Sequence, residues 1–173
     1  MGIDIGCIEQ HYSCGYGYWN LLRTEVIRAT NEYLKVHISL NPAEEDTNDK
    51  IHQKEILEFL DTILNTNASY SNNVFGVPIQ TKATPVDVLI NICDLQKLDL
   101  LIYFGIGGLF AFCNKSDCEG YYSVGNSYDI CELFSLIKPF VIKNNEYDYL
   151  GSLIQVEKIF IESVRENHIV VIS

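Results

Sequence analysis

The residues best suited to chemistry sit early in the chain, in His11-Tyr12-Ser13-Cys14-Gly15-Tyr16-Gly17-Tyr18-Trp19. Cys14 stands just ahead of an expected helix, a place that favours a thiolate. His11, three residues before it, is a candidate base, and the pair suggests a thiol hydrolase or transferase. Gly15 and Gly17 suggest a different chemistry, because main-chain N–H groups at a helix start attract phosphate or carboxylate. However, Gly-Tyr-Gly matches neither a Walker loop nor a dinucleotide fingerprint, and Tyr16, Tyr18 and Trp19 are bulky where phosphate loops are small. The plain alternative is a tight turn whose aromatic residues cover a sheet edge, with Cys14 buried and inert.

A second constellation is Cys113-Asn114-Lys115-Ser116-Asp117-Cys118-Glu119. Cys113 and Cys118, with Cys7, His11 or Cys14, suggest zinc, but their spacing is irregular for a structural site. Ser116, Asp117 and Glu119 could meet a hard cation, yet they fall short of the six to eight oxygens that calcium takes. The ordinary reading is a turn in which Asp117 or Ser116 bonds its own backbone. Gly-x-Ser-x-Gly and His-Glu-x-x-His do not occur. His37, His52 and His168 read as structural or surface residues, and Cys93 and Cys131 as core. The expected site therefore joins His11, Ser13, Cys14, Trp19 and Arg23 to Ser116, Asp117, Cys118 and Glu119. No cofactor and no metal are expected.

Strands and helices must bring these loops together. Ile3–Ile8 alternates and reads as a strand. A helix follows from about Asn20 to Leu34, with Leu22, Val26, Ala29 and Tyr33 inside and Arg23, Glu25, Arg28 and Glu32 outside. Val36–Leu40 reads as a strand, Asn41–Lys50 as an acidic loop, Ile51–Leu64 as a helix and Asn65–Asn73 as a surface loop. Thr84-Pro85 starts a helix, with Thr84 as cap and Asp87 in the first turn. Asp99–Phe104 and Gly108–Cys113 read as two strands around Gly105-Ile106-Gly107-Gly108, the glycines supplying a hairpin turn. Gly120–Val124 reads as a third strand. Asn126 or Ser127 caps a helix to about Ile137, which Lys138-Pro139 ends. Asn144–Tyr149 reads as an acidic loop. Leu153, Val156, Phe160 and Val164 mark the last helix, and Ile169–Ile172 a final strand. These elements predict one α+β domain over residues 1–173: a mixed sheet with a central β-meander and helices packed mainly on one face. Regular βα alternation is missing, which disfavours a doubly wound nucleotide fold.

The stretch Phe112 to Gly120 resembles an uncharacterised group of small, mostly bacterial proteins. They share an apolar strand, a Ser-Asp-Cys-acidic-Gly turn and a helix. They also open with Met-Gly and an apolar-Asp pair, as Met1-Gly2-Ile3-Asp4 does, and end like Lys158 to Ser173. The resemblance covers about a third of the chain and implies one intact domain, with attention on Ser116, Asp117, Cys118 and Glu119. Members often carry His where this chain has Lys115, so no role of that His transfers. The group brings no known activity.

The chain has 173 residues, 12 Lys+Arg against 23 Asp+Glu and a net charge of -11. At this size folding buries roughly 70% of the unfolded surface, enough for a core without staples. The scattered basic residues disfavour nucleic acid and an anionic membrane as partners. The start lacks a signal-peptide pattern, and no apolar run reaches the roughly 18 residues of a spanning helix. A cytoplasmic location with six reduced thiols is the expectation. The expected function is a non-catalytic binding or regulatory module, inhibitor- or immunity-like, facing a basic protein partner. The alternative is a small thiol- or phosphate-handling enzyme using the two loops. The oligomeric state is not legible.

Overall fold

Ile3 and Ile5 alternate with Gly2, Asp4 and Gly6, so one face of this segment is apolar and the other is not. In the computed structural model that segment is strand β1 (Gly2–Gly6), and both isoleucines are buried. The structure describes residues 2–65, 70–72, 78–80, 83–115, 120–142 and 147–173. A second strand, β2 (His11–Gly15), turns back antiparallel on β1. The expected loop is thus a strand: Tyr12 and Cys14 face inward while His11, Ser13 and Gly15 are exposed, the period of two that a half-buried strand requires.

Helix α1 (Tyr16–Leu40) then runs through the middle of the protein. It replaces both the expected helix from Asn20 and the expected strand Val36–Leu40. Tyr33 stacks on His37 one turn later, at 5.6 Å between ring centres. Helix α2 (Asn48–Leu64) is capped by Thr47, whose hydroxyl accepts from the Lys50 N–H at 3.3 Å. A separate two-stranded ribbon follows, β3 (Tyr70–Asn72) with β4 (Pro78–Gln80). Residues 66–69 and 73 of the expected loop lie outside the described residues.

Helix α3 (Pro85–Ile92) starts as expected: the Thr84 hydroxyl accepts from the Asp87 N–H, and the Asp87 carboxylate accepts from the Thr84 N–H. The central β-meander is the main correction. Asp99–Phe104 falls largely in helix α4 (Leu95–Tyr103), and Gly108–Cys113 is helix α5. Gly105, with φ +69°, is a left-handed helix stop, not a hairpin turn. The Ile106 N–H reaches the Leu101 carbonyl and the Gly105 N–H the Ile102 carbonyl, each at 2.9 Å, while Ile106 and Leu101 are both buried.

Of the three meander strands only β5 (Gly120–Tyr122) forms. Helix α6 (Val124–Ile137) begins earlier than expected, with Ser123 as cap and Asn126 answering it. A short 3₁₀ turn (Lys138–Phe140) leads toward helix α7 (Tyr149–Glu166) and strand β6 (Val170–Ile172). Residues 143–146, which include part of the expected Asn144–Tyr149 loop, lie outside the described residues.

The class is α+β. The main sheet has the order β2-β1-β6-β5, and every pairing is antiparallel where a mixed sheet was expected. Its inner face (Ile3, Ile5, Tyr122, Val170, Ile172) joins one contiguous core with α1, α5, α6 and α7. Trp19, Phe112, Phe134, Phe160 and Tyr122 form an edge-to-face aromatic chain through that core. The helices cover this one face, as expected, and among the described residues the other face stays open.

Candidate functional site

The open face is ordered by the register. Across the four strands run His11, Gly6, Val171 and Tyr121, and beside them Ser13, Asp4 and, hydrogen-bonded to Asp4, Ser173. Val171 is 48% and Tyr121 60% exposed. A shallow cleft of about 410 Å3 lies here, lined among others by Asp4, Cys7, His11, Ser13, His168 and Ile169. The Ser13 hydroxyl donates directly to the Asp4 carboxylate. The His11 ring lies over Gly6, where any Cβ would overlap its Nδ1. The surface thus offers a carboxylate, hydroxyls and imidazoles around an aliphatic and an aromatic side chain.

The turn from β1 to β2 is held from below. Glu162 on α7 is buried, and its carboxylate accepts the main-chain N–H groups of Ile8, Glu9 and Gln10 at 3.0–3.1 Å. Burial alone would raise its pKa, but these N–H groups and the Cys7 thiol favour the ionised form and hold it below the ordinary value. The Cys7 thiol is correspondingly pushed up, by burial first.

Cys14 points the other way from His11. Odd and even positions of a strand face opposite sides, so His11 and Ser13 lie on the open face and Cys14 on the inner one. His11 therefore does not serve Cys14 as a base in this arrangement. Burial pushes the Cys14 thiol up, opposite to what a nucleophile needs, although a bond from Tyr12 opposes this. The phenol of Tyr12 is itself pushed up to about 12 by burial. Beside it, Tyr18 bonds Ser152 at 2.8 Å and its ring lies 5.8 Å from those of Tyr147 and Tyr149. Gly15, with no side chain to offer, caps α1.

Trp19 and Arg23 are core residues. Trp19 packs edge-on against Phe112 at 5.4 Å. Arg23, expected outside, is 1% exposed. Its guanidinium donates to the carbonyls of Cys113 and Lys115 at 3.3 Å each and to Asn20 Oδ1 at 2.5 Å. Five donors on one planar group allow such burial. Glu25, also expected outside, is 6% exposed; it takes two bonds from Arg28 and one from the Ile142 N–H at 2.7–2.8 Å. Ser116, Asp117, Cys118 and Glu119 lie outside the described residues. Lys115 before them is bound by Arg23, and Gly120 after them pairs with Ile172.

Among the described residues no group of three or more His, Cys, Asp or Glu side chains is placed to hold a metal ion, and no helix is long and apolar enough to cross a membrane. Asp4, Val171, Tyr121 and Glu162 were not singled out from the sequence as site residues. Asp4 was within reach, since it interrupts two isoleucines at a period of two. Nothing local marks Glu162, whose partners lie about 150 positions away.

The chain matches no family model, no curated protein and no solved structure.

Proposed function

We propose that this chain is a small non-catalytic binding or regulatory protein, of the inhibitor or immunity kind, that acts in the cytoplasm on a basic protein partner rather than on nucleic acid or a membrane. The observation that carries the reading is the uncovered sheet face, which presents Val171 and Tyr121 beside Asp4 and Ser13. Aromatic and aliphatic side chains ringed by polar groups are the usual make-up of an interface centre. A net charge of -11 speeds encounter with a basic surface and slows it with an acidic one. The separation of His11 from Cys14 supports binding over thiol chemistry.

Affinity capture with the full chain, at low salt and in the cells that make it, tests the reading. The expected result is one basic protein, released by high salt and not captured by the double variant Asp4→Lys, Val171→Lys. Capture of no protein by the natural chain overturns it.

A further inference from the structure

We infer that the outer edge of β2, which pairs with no other strand among the described residues, is where the partner docks, by adding an extended basic segment as a fifth strand of the sheet; this rests on the binding reading above. The register defines the edge. Asp4 exchanges main-chain hydrogen bonds with Ser173 on β6 at 2.9 Å, so its N–H and C=O point away from β2. Ser13, directly opposite Asp4, is therefore in a non-hydrogen-bonded pair and points its own N–H and C=O outward. Two residues either way, the N–H groups of His11 and Gly15 point outward as well. All three residues are exposed, and no described residue lies within 4 Å of a Cβ built on Gly15.

Exposed edges normally carry protection: a lysine, a proline, a bulge, or very short length. β5, the other edge, is three residues long. β2 has five residues in unbroken register with β1, and neither Lys nor Pro. Such an edge is a template for strand addition, in which main-chain bonds give affinity and alternate side chains give selectivity.

Charge decides the occupant. Asp4 adjoins the outer side of the edge, exposed Glu9 lies in the turn at its start, and Glu166 nearby is paired with Arg165. On the inner side Tyr12 adjoins Tyr18, and half-buried aromatic rings of this kind attract Lys and Arg. A second copy would set a charge of -11 against another.

A suitable probe is a synthetic peptide alternating Lys with Val and Thr. It is titrated into the full chain beside a Glu-for-Lys counterpart and a copy with alternate backbone amides methylated. Gly15→Pro is the matching protein variant. Gly15 already has φ -67°, the value proline imposes, so the change removes the outward N–H without strain. The expected result is salt-sensitive binding of the basic peptide alone, with the His11, Ser13 and Gly15 amides protected from hydrogen exchange. Gly15→Pro should weaken it about tenfold, the worth of one net hydrogen bond. Binding of the basic peptide without that protection, with the methylated copy binding equally well, overturns the edge inference and leaves the binding reading standing. Absence of binding by any peptide overturns the inference, as does concentration-dependent self-association that protects the same amides and marks a second copy as the occupant. The methylated peptide keeps the test decisive should Gly15→Pro not fold.

Discussion

The Glu162 carboxylate accepts the main-chain N–H of Gln10 at 3.0 Å, binding the last helix to the first turn. Because the same carboxylate also takes the N–H groups of Ile8 and Glu9, its ionised form belongs to the folded state.

Acid sensitivity follows from that bond set. The folded-state pKa of Glu162 is lowered below its unfolded value. Its contribution to stability is therefore complete above the ordinary glutamate range and disappears as the pH falls through the lowered value. Glu9, Glu166, Arg165 and Cys7 face the same carboxylate. Thermal unfolding followed from pH 7 downward should show the natural chain losing stability on acidification. Glu162→Gln should melt lower at pH 7 and show a flatter acid limb. An unchanged pH profile in that variant would contradict the assignment.

Two glycine substitutions should have opposite signs. A Cβ on Gly108 would overlap the main-chain oxygen of Asp129, where α5 crosses α6. Gly108→Ala should therefore cost about 1–3 kcal/mol, the range for overpacking. Gly17 lies in α1 with open space around it. Gly17→Ala should gain about 0.5–1 kcal/mol from reduced freedom of the unfolded chain. Urea unfolding of both variants separates close approach from ordinary helix preference.

Ser127 and Ser163 share a buried hydroxyl contact of 2.8 Å between α6 and α7, and Ser163 also donates to the His168 carbonyl at 2.5 Å. Ser163→Ala leaves that carbonyl without its hydroxyl donor and leaves Ser127 to give its one proton to the Ser123 carbonyl at 3.0 Å. The expected loss is about 1–2 kcal/mol by urea unfolding. A neutral result would mean that water replaces the hydroxyl.

Thiol labelling should follow burial. Cys113 is pushed up to about 12, and Cys93 and Cys131 to about 11, in each case by burial first. Cys14 is raised for the same reason. Iodoacetamide at neutral pH, read residue by residue by mass spectrometry, should label Cys14 more slowly than a free thiol peptide and Cys113 hardly at all. Faster labelling of Cys14 would revive the thiol-enzyme reading.

Local signals with one meaning were legible. Thr84-Pro85-Val86-Asp87 can only begin a helix economically, and it does. Ile3, Asp4 and Ile5 alternate and form a strand. The errors fall where one local pattern serves two structures. Leu100 to Phe104 is an unbroken apolar and aromatic run, so neither period shows, and β-branched and aromatic residues beside glycines favour a strand. Asp94, which accepts from the Lys97 N–H at 2.8 Å, was the overlooked helix start. Gly105 suits a hairpin and a helix stop equally well, and only the bonds of Ile106 and Gly105 to α4 separate them. Arg23 and Glu25 look solvated because charge predicts exposure; Arg28 is in reach of Glu25 by spacing, but the Cys113 and Lys115 carbonyls and the Ile142 N–H that complete their burial are distant, and local spacing does not reveal them. Of the expected site, His11 and Ser13 share a face with Asp4, but a strand read as a loop hid that Cys14 must leave them.

The position of β1 between β2 and β6 also has a consequence for biosynthesis. A growing polypeptide offers the β1–β2 hairpin well before β6, since the neighbour that seats Ile5 and Gly6 on their other side, Val171 with Ile172, is translated some 165 positions later. Contacts so distant along the chain form slowly. Until they form, the hairpin has unsatisfied rims on both flanks, and nascent chains are most exposed to mispairing or chaperone capture at that stage.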